Sequence, residues 1–205
     1  TRIYDEDQGL GTVSPVVDLL LGGFTYKSAT GAINVAREIT EKAMMPKTVM
    51  HGSSVKGLKE IKSANARVSK PNEGLQSVIY TSKPKGMASY YGKDGEVYPI
   101  DVSEISKKAF NIANVGKNKV LNTNNVPNSL LKKLDKEIKV NTGRDKNALK
   151  SLKKQMIGRK SKRFMGHIGP KGSDFLKNNN YKVIKNPLTN PSYILIEDIV
   201  KVKGK

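Results

Sequence analysis

The chain has 205 residues, a formal net charge of +19, no cysteine and two histidines. This length suits one domain with extensions, and the lack of cysteine excludes a disulfide framework, a thiolate nucleophile and a cysteine-based zinc site. With only two histidines, we expect no histidine-rich metal site, and we predict no metal ligands. The longest apolar run, residues 16–21, contains an aspartate and is far shorter than the roughly 20 residues of a membrane span. We therefore expect a soluble chain that does not contact a membrane.

The charge of the chain points to anionic partners. The 37 Lys and Arg residues outnumber the 18 Asp and Glu residues, and such an excess attracts polyanions with an affinity that falls as salt is added. One interpretation is that the partner is a nucleic acid. The other is that the basic surface aids solubility or docks on an acidic protein, and composition alone leaves both open.

The first 46 residues are predicted to form an N-terminal arm. After an acidic opening and a glycine pair, residues 30–44 carry apolar side chains at helical spacing, with charged residues between them. This helix presents one apolar face, at Ile33, Ala36, Ile39 and Ala43. We favour packing of that face on its own domain over packing on a partner.

Residues 47–205 alternate short strand patterns with helical ones, which predicts an α+β domain. A loop is predicted at residues 118–128, and a basic helical stretch at 128–163. The predicted strands cover residues 48–50, 77–81, 97–102, 181–184 and 193–197, and the other predicted helices cover residues 86–91, 103–111 and 173–177.

A group of residues early in this domain has the character of a ligand site. His51, Gly52 and Ser53 directly follow a strand, where a glycine lets the backbone approach a flat ligand closely. Tyr80 lies on the next clear strand and Tyr91 on the short helix after it, and tyrosine rings can stack on a planar ring. The alternative is that His51 is an incidental loop residue and that both tyrosines belong to the core.

The order of these motifs resembles a known family. His-Gly-Ser at 51–53, Ile-Tyr-Thr-Ser at 79–82, Ala-Ser-Tyr-Tyr at 88–91 and Tyr-Pro-Ile-Asp-Val at 98–102 are similar to the diphtheria-toxin-like ADP-ribosyltransferases, which include the poly(ADP-ribose) polymerases. Among the members of this family, the variants found in phage and mobile-element polypeptides look most similar to this sequence. Residues 175–181 and 192–199 resemble the closing helix and strand of such domains.

The resemblance covers about residues 48–203, interrupted by the basic stretch. It implies a split β-sheet core in a domain at residues 47–205, with an N-terminal helical arm at 1–46 and a basic helical insertion at 128–165. It also implies a location in the host cytoplasm or in a virion, where other virion proteins are potential partners.

The resemblance further implies that NAD⁺ is bound as a substrate. His51 and Tyr91 are then catalytic: His51 hydrogen-bonds the ribose next to adenine, and Tyr91 forms a sandwich with Tyr80 around the nicotinamide ring. Gly52 presents backbone groups to the nicotinamide amide, and Ser53 assists ribose or phosphate contacts. Such a pocket lowers the barrier to cleavage of the N-glycosidic bond by orientation and electrostatics.

The chain departs from the polymerase pattern at the start of the last strand. There the family carries a glutamate that steadies the positive charge on the ribose, and the matching residue is Ser192. Glu197 is five residues further on, so strand alternation places it on the opposite face. Ser89 is the candidate contact to the nicotinamide amide, with Ala88 at the position where the family often has serine. Polymer synthesis is therefore not expected, whereas single transfer and loss of activity both stay open.

The basic stretch is the candidate nucleic-acid surface. Apolar residues of this helix share one face, which leaves its cations free to meet phosphates without reading sequence. A merely solvated basic face is the alternative. The candidate contacts are Lys150, Lys153, Lys154, Arg159, Lys160, Lys162 and Arg163.

Two functions follow from the sequence. The first is an NAD⁺-dependent mono-ADP-ribosyltransferase, a phage or mobile-element effector that acts on a macromolecular acceptor. The alternative is a catalytically inactive virion or structural protein that kept the fold and binds nucleic acid through its basic surface. Generic nucleic-acid binding with a coincidental motif match ranks last.

Overall fold

A computed structural model describes residues 29–63, 78–83, 87–107, 116–157, 168–187 and 192–204. Within these ranges the chain forms helices and mostly antiparallel strands, so the predicted α+β class is confirmed. The helices are α1 (Ala29–Ala43), α2 (Ala88–Tyr91), α3 (Ser103–Lys107), α4 (Asn128–Val140), α5 (Gly143–Ile157) and α6 (Pro170–Asn178). The strands are β1 (Thr48–Ser53), β2 (Glu60–Lys62), β3 (Ile79–Thr81), β4 (Glu96–Asp101), β5 (Lys119–Asn122), β6 (Tyr181–Lys185), β7 (Tyr193–Leu195) and β8 (Ile199–Lys201).

The centre of the fold is a four-stranded sheet in the order β3-β7-β6-β5. β7 runs antiparallel to both β3 and β6, and β5 runs parallel to β6. Two antiparallel pairs, β1-β4 and β2-β8, extend the structure. Single bridges join them to their neighbours, one between Met50 and Ser82 and one between Ile100 and Val202.

Both faces of the central sheet are apolar. Successive side chains of a strand point to opposite sides, so each strand contributes apolar residues to both faces. Ile194 belongs to a cluster that also holds Leu149 and Leu176 from the helices, so α4, α5 and α6 cover that face. Leu195 belongs to a second cluster with Val49 and other residues of the β1-β4 pair. The basic helical stretch is therefore a packed layer of the main core.

Helix α1 packs on the same fold rather than projecting from it. Ala36 and Ile39 are buried, whereas Ile33 is 46% exposed. The ammonium group of Lys42 donates hydrogen bonds to Glu38, at 2.8 Å, and to the Lys117 carbonyl oxygen, at 2.7 Å. Packing of the apolar face on its own domain, the interpretation favoured above, agrees with these contacts. Residues 1–28 of the predicted arm lie outside the described residues.

The structure corrects the predicted elements at several points. Residues 119–122, predicted to be loop, form β5, whose two apolar residues, Val120 and Leu121, were too few to stand out among polar neighbours. β2 and β8 were also missed, because a strand of three residues carries almost no periodic signal. The strand predicted at 193–197 ends at Leu195. The basic stretch is two helices, separated at residues 141–142.

Within the described ranges, no helix has the length and apolar character needed to cross a membrane. The same ranges contain no group of three or more His, Asp or Glu side chains arranged to hold a metal ion.

Candidate functional site

The candidate site lies where β1 and β3 separate. Met50 and Ser82 exchange two backbone hydrogen bonds of 2.9 and 2.8 Å, which join the strands at one point. On the other side of β1, Val102 donates to the Lys47 carbonyl oxygen at 3.0 Å. Backbone groups alternate in direction along an antiparallel strand, so Gly52 directs its N–H and C=O groups toward β3, as Met50 does. Beyond this bridge the two described strands form no further ladder, so the Gly52 groups point toward the break between β1 and β3.

The His51 side chain links β1 to β3 at this break in the ladder. Its Nδ1 atom lies 2.8 Å from the Tyr80 carbonyl oxygen. A carbonyl oxygen only accepts hydrogen bonds, so Nδ1 carries the proton and donates, and Nε2 is left as an acceptor in the neutral ring. Burial lowers the pKa of His51, and the hydrogen bond to Tyr80 opposes this only partly. The ring is therefore neutral at pH 7, with its acceptor atom fixed.

His51, Ser53 and Tyr80 line a cavity of about 170 Å³. The loop after β1 forms another part of its wall and is held by Tyr98, whose hydroxyl donates to the Val55 carbonyl oxygen at 2.6 Å and accepts from the Leu58 amide at 3.2 Å. The remaining lining residues in the described ranges are Val55, Leu58, Glu60, Ile61, Lys62, Val78 and Ile79.

Tyr80 is rigidly placed. Its ring is half-buried against the cluster covered by α4–α6. Burial raises the pKa of its hydroxyl to about 12, and a hydrogen bond with the Ile168 backbone acts weakly in the opposite direction. Tyr80 therefore stays protonated at any physiological pH, and its packing agrees with the interpretation of a core aromatic.

Helix α2 packs directly on Gly52. A β-carbon added to Gly52 would collide with the Ala88 carbonyl oxygen and lie 2.7 Å from the Gly92 nitrogen. The start of α2 is held by Ser82, whose hydroxyl accepts a hydrogen bond from the Ala88 amide at 3.1 Å. The sequence suggested that this glycine serves close approach of a ligand. The structure shows that close approach of α2 also requires a glycine at this position.

Tyr91 and Ser89 are carried by α2 and are exposed. Tyr91 is 62% exposed and packs edge-on against Tyr90, with ring centroids 5.4 Å apart. Opposite residues of an antiparallel pair project to the same face, so the Met50-Ser82 pair puts Tyr80 on the face of β1 that α2 covers. Tyr80 and Tyr91 thus belong to one face of the split, while Ser89 and Tyr91 are absent from the described lining of the small cavity.

Ser192 lies apart from the other candidates. It immediately precedes β7, and its carbonyl oxygen accepts a hydrogen bond from the Asn186 amide at 2.8 Å. Thr81 pairs with Tyr193, so the next position sets Ser192 beside Ser82, two strands away from β1. It is not among the described residues that line the cavity with His51.

The basic candidates are only partly within the described ranges. Lys150 and Lys154 are exposed on α5, whereas Lys153 forms an ion pair with Asp135 at 2.5 Å. Arg159, Lys160, Lys162 and Arg163 lie outside the described residues. Two of the seven predicted contacts are therefore exposed cations without a described carboxylate partner.

Comparison of the chain with known proteins finds no protein-family model, curated protein or solved structure that matches it.

Sequence reasoning missed two ionisable residues of the described lining, Glu60 and Lys62. Glu60 on β2 lines the cavity and forms an ion pair with Lys62 at 3.0 Å, with both side chains about half exposed. Nothing in the local sequence marks it, because β2 is three residues long and reaches the site only through its pairing with β8. Tyr98 belongs to one of the motifs that resemble the family. The sequence did not indicate that Tyr98 holds the loop of the cavity, and this contact is seen only in the structure.

Proposed function

We propose that this protein binds NAD⁺ at the split between β1 and β3 and transfers a single ADP-ribose unit to a macromolecular acceptor. The observation that carries the proposal is the break in the β1-β3 ladder beside Gly52. Gly52 directs both of its backbone groups into it, and a primary amide such as that of nicotinamide offers the complementary donor and acceptor. The motif order of the sequence supports the same assignment.

The nicotinamide ring would lie between the two tyrosines. Tyr80 supplies a fixed wall because its ring is packed and its hydroxyl is anchored. Tyr91 supplies a movable one, because its ring is mostly exposed on a helix of four residues. Stacking on two aromatic faces fixes a planar ring at small entropic cost to the protein.

His51 would bind a ribose hydroxyl. Its Nε2 atom is an acceptor in the neutral ring, since Nδ1 donates to Tyr80, and a hydroxyl can donate to it. The half-buried Ser53 adds a hydroxyl on the same wall of the cavity.

In the proposed reaction the bond between the ribose C1′ atom and the nicotinamide nitrogen breaks, and an acceptor nucleophile forms a new bond to C1′ and loses its proton. Positive charge builds on the ribose in between, and Ser192 has no charge to oppose it. Orientation by the split must then provide most of the rate. Glu60 is the described carboxylate at the cavity, and we assign it a share in stabilising that charge.

The test is NAD⁺ turnover, followed as nicotinamide release and as incorporation of labelled ADP-ribose into cell lysate, DNA or RNA. Tyr91→Ala is compared with Tyr90→Ala, a matched control since Tyr90 is the neighbouring ring and is 70% exposed. We expect Tyr91→Ala to reduce turnover at least about tenfold, as loss of a stacking platform does, and Tyr90→Ala to change it less than about twofold. Glu60→Gln is expected to lower kcat with little change in KM.

Equal losses in the two tyrosine variants would contradict the ring sandwich. An absence of both turnover and calorimetric NAD⁺ binding in the wild-type chain would overturn the proposed function as a whole.

A second candidate function is favoured by two specific observations. Ser192 replaces the glutamate of the family pattern, and Lys150 and Lys154 are exposed on a helix of a chain with net charge +19. A catalytically inactive virion protein that holds nucleic acid through α5 accounts for both. Salt-sensitive nucleic-acid binding in a chain with no NAD⁺ affinity would select this function over the transferase.

A further inference from the structure

A second cavity, of about 590 Å³, lies away from the proposed NAD⁺ site and shares no lining residue with it. Its described walls come from the end of α1, from α3, from the turn before β5, and from the end of α6 with the start of β6. Its volume is in the range of small-molecule binding sites, about 300–1000 Å³. The lining residues in the described ranges are Lys42, Ile105, Lys117, Asn118, Lys177, Asn180 and Lys182.

The cavity is strongly basic. Four of its described lining residues are lysines and none is a carboxylate. Lys177 and Lys182 form ion pairs with Asp198 and Glu197, at 2.7 and 2.9 Å, but those carboxylates are not among the described lining residues. Lys117 is exposed and makes no ion pair with any described residue. Lys42 is paired as well, with Glu38 at 2.8 Å. Lys117 is therefore the lysine of the described lining whose charge no described carboxylate balances, and it favours an anion in the interior.

One wall of the cavity is rigid. Lys42 is only 3% exposed and uses two of its three N–H donors on Glu38 and on the Lys117 carbonyl oxygen. Glu38 also accepts a hydrogen bond from the Gly116 amide at 2.9 Å. Helix α1 thus fixes the turn that carries Lys117. Binding of a ligand therefore does not include the entropic cost of ordering this turn.

Two asparagines of the cavity have an unusual backbone. Asn118 and Asn180, at φ 49° and 64°, are the non-glycine residues with positive φ in the described ranges, and both line this cavity. Asparagine adopts this conformation more readily than most residues with a side chain, and Asn180 does so just after α6, where a left-handed residue commonly ends a helix. Asn180 is held there by the Lys119 amide, which donates to its carbonyl oxygen at 2.7 Å. Both turns therefore place a carboxamide donor beside the lysines.

We propose that this cavity binds a ligand bearing two or more phosphate groups. Multiple ammonium and amide donors, without an aromatic or a carboxylate in the described lining, match phosphate oxygens. Either a nucleotide or the backbone of a nucleic acid could supply such groups. The site is independent of the proposed transferase chemistry.

The test is calorimetric titration of the full chain with sodium tripolyphosphate at fixed ionic strength. Lys117→Gln/Lys182→Gln is compared with Lys132→Gln/Lys136→Gln, which has the same net charge but alters only exposed lysines of α4. We expect one saturable site, a Kd increased at least about tenfold in the cavity variant, and a change under about twofold in the control. Thermal unfolding checks that both variants are folded. If the cavity variant unfolds, Lys117→Gln alone is compared with Lys132→Gln.

An equal loss of tripolyphosphate affinity in the two variants, or non-saturating binding of many equivalents of tripolyphosphate, would overturn the proposal. ATP and a single-stranded oligonucleotide distinguish the two sources of phosphate, since the true source loses affinity in the cavity variant as tripolyphosphate does. His51→Ala is expected to keep the tripolyphosphate affinity, which separates this site from the NAD⁺ site.

Discussion

At the scale of single residues, the sequence alone does not show the hydrogen bond and the burial of His51. Its ring donates through Nδ1 to Tyr80, and burial lowers its pKa below the ordinary 6.5. The unfolded chain therefore binds more protons at His51 than the folded chain between pH 6.5 and the lower folded-state pKa. The stability contributed by the neutral ring is complete above pH 6.5 and is lost as the pH falls through that window.

We predict that His51→Gln makes the stability less dependent on pH in this window. Glutamine can donate to the Tyr80 carbonyl oxygen but does not titrate. Urea unfolding from about pH 7.5 to about pH 5.0 should show a smaller fall in the free energy of unfolding for the variant than for the wild type. Parallel curves for the two proteins would show that His51 is not held neutral by the fold.

Gly52 gives a prediction on packing. Gly52→Ala brings a methyl group into the Ala88 carbonyl oxygen, which is backbone and cannot move aside. We expect a loss of about 1–3 kcal/mol in the free energy of unfolding, typical of overpacking, together with weaker NAD⁺ binding. Gly31→Ala is the control for thermal unfolding, since a β-carbon there meets nothing within 4 Å. Unchanged stability of Gly52→Ala would contradict the packing of α2 on β1.

At the scale of elements, the pair α4-α5 shows how a charged stretch can be part of a core. Leu134 and Leu149 are fully buried, although a lysine adjoins each of them in the sequence. The helices cover one face of the central sheet together with α6. Removal of this layer would expose that face, so the stretch is not a dispensable insertion.

Leu149→Ala is accordingly predicted to lower the free energy of unfolding by about 2–5 kcal/mol, the usual cost of truncating a buried leucine. Lys150→Ala, one residue further along the same helix and exposed, should change it by no more than about 0.5 kcal/mol. Urea denaturation of both variants is the measurement. A small effect of Leu149→Ala would mean that α5 is only loosely attached.

At the scale of the whole molecule, the net charge of +19 is the dominant property. If α5 binds phosphates, the logarithm of the nucleic-acid binding constant falls linearly with the logarithm of salt concentration. We predict that Lys150→Gln/Lys154→Gln reduces that slope by about two, which is about one for each phosphate no longer neutralised, without changing sequence preference. Fluorescence anisotropy from about 50 to about 300 mM salt measures the slope. An unchanged slope would show that nucleic acid binds to another face of the molecule.

The sequence by itself determined the α+β class, the position of most helices, and the local order of His51, Tyr80 and Tyr91. These depend on near-neighbour patterns: apolar spacing, glycine and proline breaks, and motif order. It also indicated that α1 is amphipathic, since Ala36 and Ile39 share a face. Fold class and helices are predictable because their physical cause is local.

Only the tertiary structure decided which of these residues meet. The β1-β3 ladder stops at the Met50-Ser82 bridge, beside Gly52, and the pairing of β2 with β8 brings Glu60 to the cavity. The two left-handed asparagines come together from turns that are far apart in the chain. Strand pairing and register depend on contacts between distant segments, which short strands such as β2, β5 and β8 do not encode locally.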